Sequence, residues 1–190
     1  MSTTQIVGVA ILAGVALLLL MTAVSYNRFV RQRNLVAESW RQIDVELVRR
    51  HDLVPQLVAV VQGYAAHERA LFERVAAARN QAVAPSASVA AQAADEAQLT
   101  SGLRHLLALA EAYPVLRADR LFRDLHHQLV DTEDRIAAAR RFYNGNVRAL
   151  NTRVESIPSS LVAAMGGFAR AEYFLTDEAD LRTVVPVGLR

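Results

Sequence analysis

The sequence has no cysteine among its 190 residues, and all 21 of its basic residues are arginine. Without cysteine the chain can form no disulfide, thiolate nucleophile, iron–sulfur cluster or lipoprotein anchor. Positive charge is not in excess either, because 19 acidic residues leave a net charge of +2. Nucleic-acid binding needs a clustered basic face, so this balance argues against a nucleic-acid partner.

Motifs for catalysis and phosphate binding are also missing. The sequence contains no G-x-S-x-G element, and the pair Gly166-Gly167 lacks the lysine and serine or threonine of a phosphate loop. Three histidine–carboxylate groupings lack the spacing of a zinc protease or of a di-iron bundle. They are His51-Asp52, His67-Glu68 and Asp124-x-x-His127. We therefore expect no catalytic residue, no cofactor-binding residue and no metal ligand.

A long apolar run lies near the start of the sequence, where the 21 residues from Ile6 to Tyr26 carry no charge. At ~1.5 Å of rise per residue, this run spans a hydrocarbon core of ~30 Å. It predicts a transmembrane anchor that contacts the lipid bilayer through residues 6–26. The alternative is a cleaved signal peptide, with Ala23-Val24-Ser25 as a loose cleavage site. The run is longer than the roughly 7–15 apolar residues of a signal peptide, and no basic residue precedes it.

The charges on the two sides of this run differ. Residues 1–5 carry no charged side chain, whereas Arg28, Arg31 and Arg33 follow the run within seven residues. Basic residues favour the cytoplasmic side of a transmembrane helix. We therefore expect the N-terminus outside and the rest of the chain in the cytoplasm.

The sequence after the anchor predicts long helices and no strand, because apolar residues recur every seven positions without any alternating pattern. The first helix is expected over residues 27–51. The second is expected to begin with Asp52 as its N-cap and to end near Val83, with Pro55 in its first turn. A weaker, alanine-rich third helix is expected to end near Ala112.

The fourth predicted helix carries the strongest heptad repeat. One stripe comprises Phe122, Leu129, Ile136, Tyr143, Leu150 and Ile157, and the other comprises Leu125, Thr132, Ala139, Val147 and Val154. A repeat over about 40 residues indicates a coiled-coil-like seam roughly 60 Å long. The predicted fold class is all-α, with an N-terminal transmembrane helix followed by an elongated antiparallel bundle of long helices. The predicted domains are the anchor at 1–27, the bundle at 28–174 and a flexible tail at 175–190.

The segment from Leu161 to Phe174, which follows Pro158, leaves two alternatives open. It is apolar, with a break at Gly166-Gly167. It can form a final helix that folds back on the bundle, or it can bind a membrane or a protein partner.

Several polar residues fall close to the apolar stripes, namely Arg50, His67 and Thr132. A buried arginine without a partner costs about 3–5 kcal/mol, so Arg50 needs a carboxylate or a carbonyl partner. Its candidate partners are Glu133, Glu111 and Asp44. We interpret these residues as a polar network that fixes the register of the helices, with a ligand or ion site, or simply solvated side chains, as the alternatives.

A specific resemblance covers almost the whole chain. The motifs that carry it are Trp40-Arg41-Gln42-Ile43-Asp44-Val45, Arg49-Arg50-His51-Asp52-Leu53-Val54-Pro55-Gln56-Leu57-Val58, Gly63-Tyr64-Ala65-Ala66-His67-Glu68, Ala77-Ala78-Arg79, Glu111-Ala112-Tyr113-Pro114, Leu116-Arg117-Ala118, Thr132-Glu133-Asp134-Arg135-Ile136, Ala139-Arg140-Arg141-Phe142-Tyr143-Asn144 and Asn151. In this order they resemble the LemA family. The departures, at Gln56, Gln62 and Ile157, are mild.

The resemblance implies an N-terminal membrane anchor, a bundle of long helices and no enzymatic activity. It also implies a bacterial protein, so the expected location is the inner, cytoplasmic membrane in a single pass. The predicted function is a non-enzymatic scaffold or adaptor of the cell envelope that binds protein partners, including a second copy of this chain. We expect self-association through an uncovered strip near the membrane, rich in alanine and leucine. The alternatives are a protein that organises the membrane by oligomerising, and a helical-bundle enzyme that binds a ligand or metal.

Overall fold

The computed structural model describes residues 3–176, and all regular structure in that range is helical. The helices are α1 (Thr3–Gln62), α2 (Arg69–Val83), α3 (Val89–Glu111), α4 (Pro114–Ala118), α5 (Arg120–Glu155) and α6 (Ser159–Gly166). This confirms the all-α fold class. The chain divides into two compact units: unit 1 comprises Met1–Ser39 and Gly145–Ala171, and unit 2 comprises Trp40–Asn144 and Glu172–Arg190.

Helix α1 contains a segment that is long and apolar enough to cross a membrane. Its large apolar side chains from Ile6 to Val24 are all exposed in the structure. A lipid-facing helix has this property, because hydrocarbon chains rather than other residues cover it. The helix therefore has the length and surface that the predicted anchor requires.

The prediction of a helix start at Asp52 is wrong, because α1 continues through Pro55 to Gln62. A proline inside a helix has no N–H, so the carbonyl four residues earlier loses its usual hydrogen bond. That carbonyl belongs to His51, and it accepts a hydrogen bond from Nε of Arg79 on α2 at 3.2 Å. A side chain from another helix thus replaces the missing donor and allows α1 to continue.

The core of unit 2 is built from one face of each of its long helices. Its fully buried side chains include Ile43, Leu57, Val61, Val75, Leu99, Leu106 and Leu116. Two polar caps define the helix starts around this core. The hydroxyl of Ser88 accepts a hydrogen bond from the N–H of Ala91 at the start of α3. Asp119 accepts one from the N–H of Phe122 at the start of α5.

The predicted heptad seam of α5 is buried except at its last position. Phe122, Leu129, Ile136, Tyr143 and Leu150 are all buried. In the second stripe Leu125, Thr132 and Val147 are buried, while Ala139 and Val154 are half-buried. The prediction is wrong for Ile157, whose side chain is 87% exposed. Helix α5 ends at Glu155, so Ile157 no longer follows the helical repeat.

The segment from Leu161 to Phe174 is not one helix. Helix α6 ends at Gly166, and Gly167 follows with φ of +67°, in the left-handed region that glycine adopts without strain. Beyond it the chain has no helical structure up to Thr176. Of the predicted tail at 175–190, residues 177–190 lie outside the described residues.

Asparagine side chains of α5 hold the chain that follows α6. In unit 1, Asn151 donates to the carbonyl of Ala171 at 3.0 Å and accepts from its N–H at 2.8 Å. In unit 2, Asn144 makes the same pair of hydrogen bonds with Phe174, both at 3.0 Å. An extended segment without a neighbouring strand needs such partners for its backbone groups.

Candidate functional site around a buried arginine

Arg50 lies on α1 in the interior of unit 2, and only 2% of its surface is exposed. Its Nη2 atom pairs with a carboxylate oxygen of Glu96 on α3. Its Nη1 atom lies 2.9 Å from Oε1 of Glu133 on α5. The prediction that Arg50 is buried and paired is confirmed, and so is Glu133 as a partner. One guanidinium therefore joins three helices.

Glu96 is the partner that sequence reasoning missed, although it is almost completely buried. The signal was its position in the apolar stripe of α3. The buried residues of that helix are Ala93, Glu96, Leu99, Leu103, Leu106 and Ala110, spaced by three or four. The start of this helix is rich in alanine, so the stripe is weak in the sequence at Ala93 and Glu96.

Further hydrogen bonds surround the Glu96 carboxylate. Its Oε1 atom lies 3.0 Å from Nε2 of His51 and accepts a hydrogen bond from Gln92 at 2.9 Å. Burial by itself would raise the pKa of the Glu96 carboxyl. The hydrogen bond with His51 and the charge of Arg50 outweigh burial, so the pKa of Glu96 lies below its usual value. The carboxylate is therefore held in its charged form.

The hydroxyl of Thr100 completes the arrangement around Arg50. It accepts a hydrogen bond from Nη1 of Arg50 at 3.0 Å and donates one to the backbone carbonyl of Glu96 at 2.9 Å. The Nε atom of Arg50 has no hydrogen-bond partner within residues 3–176. We call Arg50, His51, Glu96, Thr100 and Glu133 the arginine cluster.

Other predicted members of the polar network lie elsewhere. Asp44 and Glu111 are exposed, so they are not partners of Arg50. His67 is also exposed, because α1 ends at Gln62 and the heptad spacing does not extend into the following turn. Thr132 is buried as expected, and its hydroxyl donates to the carbonyl of Gln128 on the same helix at 2.7 Å.

A cavity of about 270 Å³ adjoins the arginine cluster. Its charged lining consists of Arg50, Arg104, Arg140, Glu96, Glu133 and Asp134. Three of these side chains are basic and three are acidic, so their formal charges cancel. The Thr100 hydroxyl donates its hydrogen to the backbone carbonyl of Glu96, which is not a base that could activate it as a nucleophile. Within the described part of the chain, no three histidine, aspartate or glutamate side chains form a group that could hold a metal ion. The geometry suits a structural cluster that sets the register of three helices.

Replacing Arg50 with methionine should strongly destabilise the protein. The change leaves the Glu96 carboxylate buried without its cation, a loss of about 3–5 kcal/mol. At about 2–4 °C per kcal/mol, the Tm of the full-length protein in mild detergent should fall by roughly 10 °C. Circular dichroism during heating measures this. Adding Glu96→Gln to Arg50→Met should recover much of the loss, because the buried charge is then removed.

Arg41→Met is the matched control, because Arg41 lies exposed on the same helix. It should leave the Tm within about 2 °C of the wild type, as expected for an exposed site. If Arg50→Met behaves like Arg41→Met, the arginine cluster contributes nothing to stability.

Comparison with known proteins gives relatives that are named as magnetosome proteins. The curated relatives include the magnetosome protein MamQ of Magnetospirillum gryphiswaldense, which is 25% identical over 174 residues. Magnetosome proteins MamQ 1 and MamQ 2 of Paramagnetospirillum magneticum are each 26% identical over 174 residues. Each alignment covers 78% of this chain and 64% of the relative, so the chain spans less than two thirds of their length.

The match to a protein family extends over most of the chain. The model of the LemA family matches residues 39–188, a range that includes α2 to α6 and the whole arginine cluster. With the candidate membrane-spanning segment in α1, this match shows that the chain is a membrane-associated member of the LemA family.

Proposed function

We propose that this protein is a membrane-anchored scaffold that presents a helical bundle to protein partners in the bacterial cytoplasm. The observation that carries the proposal is the continuity of α1. This single helix contains the candidate membrane span and, further along, Ile43, Leu47 and Arg50 of the unit 2 interior. The candidate span and part of the unit 2 interior are therefore residues of one helix.

The names of the relatives refer to a structure, the magnetosome, and not to a biochemical activity. They are named as magnetosome proteins, and that description applies to them. What this chain shares with them is a module that makes up 78% of its own length. We propose that this module works at a membrane in the present protein, and that its surface contributes binding rather than catalysis.

The orientation follows from the arginines after the span. Arg28, Arg31 and Arg33 are exposed on α1, whereas residues 1–5 have no charged side chain. Exposed basic residues near the end of a transmembrane helix favour the cytoplasmic side. The bundle is therefore proposed to lie in the cytoplasm, on the inner face of the cytoplasmic membrane.

Cysteine labelling tests this orientation directly, because the chain has no cysteine of its own. Ser101→Cys lies exposed on α3, and Thr3→Cys lies before the span. In spheroplasts, a membrane-impermeant maleimide should label Thr3→Cys and leave Ser101→Cys unlabelled. Inside-out vesicles should give the reverse. Labelling of Ser101→Cys in intact spheroplasts would contradict a cytoplasmic bundle.

An exposed apolar surface on α1 is the proposed docking site for a second copy of this chain. The sequence led us to expect a strip rich in alanine and leucine near the membrane. The large exposed apolar residues of α1 beyond Arg28 are instead Val45 and Val48, each more than half exposed. They are three residues apart and so lie on the same face of the helix. Burying them against another chain would stabilise a dimer.

The double variant Val45→Glu/Val48→Glu should therefore reduce self-association without unfolding the bundle. Size-exclusion chromatography with multi-angle light scattering of full-length protein in mild detergent should give a dimer for the wild type and much less dimer for the variant, with unchanged circular dichroism. Val83→Glu is the control, since Val83 is a similarly exposed valine on α2. A wild-type protein that remains monomeric would leave only other proteins as partners of the scaffold.

A further inference from the structure

Helix α6 and the residues beside it form an uncharged segment with an exposed apolar face. The 14 residues from Ser156 to Ala169 carry no charge. Within them, Ile157, Leu161 and Met165 are 87%, 66% and 83% exposed. They recur every four residues, so Leu161 and Met165 lie on the same side of α6 and Ile157 directly precedes it. Soluble proteins rarely leave such a cluster facing water.

Contacts inside unit 1 place this segment beside the end of the apolar run of α1. The ring of Phe168 lies 5.3 Å from that of Tyr26, the last residue of the run, and stacks on Phe29 at 4.8 Å. A side chain added at Gly166 would come within 3.2 Å of the Tyr26 ring. The end of α6 is therefore level with Tyr26.

Helix α5 approaches the same level from the other direction. Gln32 on α1 donates to the carbonyl of Asn146 on α5 at 3.1 Å. Further along α5, the Arg153 guanidinium lies 5.9 Å from the centre of the Phe29 ring. As residue numbers fall along α1 they rise along α5. Helix α5 therefore ends at Glu155 close to the level of Tyr26, and the exposed Ile157 follows it.

This level is where the lipid hydrocarbon should end. About 20 helical residues cross a core of ~30 Å, so a span that begins near Gln5 ends near Val24. The exposed Tyr26 then lies at the boundary, where tyrosine and tryptophan side chains concentrate in membrane proteins. The exposed arginines Arg28 and Arg31 follow on the headgroup side. The apolar face of α6 thus coincides with the edge of the hydrocarbon.

We propose that α6 is an interfacial membrane helix whose residues Ile157, Leu161 and Met165 enter the leaflet beside the transmembrane segment. This rests on the proposed membrane anchor. Its binding partner is the lipid surface, since the apolar face lies level with the hydrocarbon edge and helices of this kind penetrate about 5–10 Å into the headgroup–acyl boundary. The ion pair between Glu155 and Arg170, at 3.1 Å, neutralises the two charges that flank the uncharged segment. A second, shallower contact would hold unit 1 at the bilayer.

A fluorescent label that reports polarity tests this inference in the full-length protein. Single cysteines replace Met165, Leu12 and Asn34, each is labelled with an NBD group, and the protein is placed in lipid nanodiscs at one copy per disc. The label at Leu12 reports insertion of the span. Asn34 is exposed on α1, about 12 Å beyond Tyr26, and serves as the aqueous control.

The label at residue 165 should emit further to the blue than the label at residue 34. Lipids with a doxyl quencher near the headgroup should quench it more strongly than lipids with the quencher near the bilayer centre. Leu161→Glu in the same labelled protein should shift the emission back towards that of residue 34, whereas Leu161→Ile should not.

The outcomes separate the two proposals. An apolar signal at residue 12 with an aqueous signal at residue 165 would overturn the interfacial role of α6 and leave the anchor intact. An aqueous signal at residue 12 would overturn both. If the label at residue 165 becomes apolar only when two copies share a disc and is insensitive to doxyl lipids, a second chain covers α6 and the inference is wrong.

Discussion

The charge of Arg50 has to be neutralised inside the bundle, and the arrangement of unit 2 depends on how this is done. The guanidinium is almost completely removed from solvent, so α3 and α5 must present Glu96 and Glu133 at its level. Sliding any of these helices by one turn, about 5.4 Å, would separate the charges. A buried ion pair is weak evidence of extra stability, because desolvation offsets much of the attraction. Its effect here is to favour one register over all others.

Fixed register matters for the proposed scaffold role because apolar stripes alone allow helices to slide. The heptad stripe of α5 repeats the same kind of side chain at each turn, so shifted packings would bury similar apolar area. The arginine cluster removes this degeneracy. The exposed side chains of α1, including Val45 and Val48, are then held in one arrangement on the surface. A constant surface is what recognition by a partner requires.

The fold class and the buried stripe of α5 could be predicted because each follows from local periodicity. Burial of Arg50 beside a carboxylate could be predicted from its place in an apolar stripe, but the sequence did not select Glu133 over Asp44 and Glu111. The continuation of α1 past Pro55 could not be predicted. The side chain that donates to the free His51 carbonyl is Arg79 of another helix, and no residue near the proline in sequence indicates it. The hydrogen bonds by which Asn144 and Asn151 hold the chain after α6 also could not be predicted. Their partners are backbone groups, which any residue offers.

Glu96 shows the limit of pattern reading at the site itself. A glutamate among alanines is typical of an exposed helix face, so local composition indicated solvent. Only the facing Arg50 and His51 make burial of this carboxylate favourable, and that pairing spans more than 40 residues of sequence. Sequence periodicity reports which residues are apolar, whereas the partner of a buried charge is set by the packing of helices that are distant in sequence.

The pH dependence of stability tests the central claim most directly. The pKa of Glu96 is lowered in the folded protein, so its contribution to stability is present above the ordinary glutamate pKa of about 4.3 and is lost as the pH falls through the lowered value. The Tm of full-length protein in detergent, measured from pH 7 to acid, should fall more steeply for the wild type than for Glu96→Gln. Parallel curves for the two proteins would contradict the account, because the Glu96 charge would then have no part in holding the bundle together.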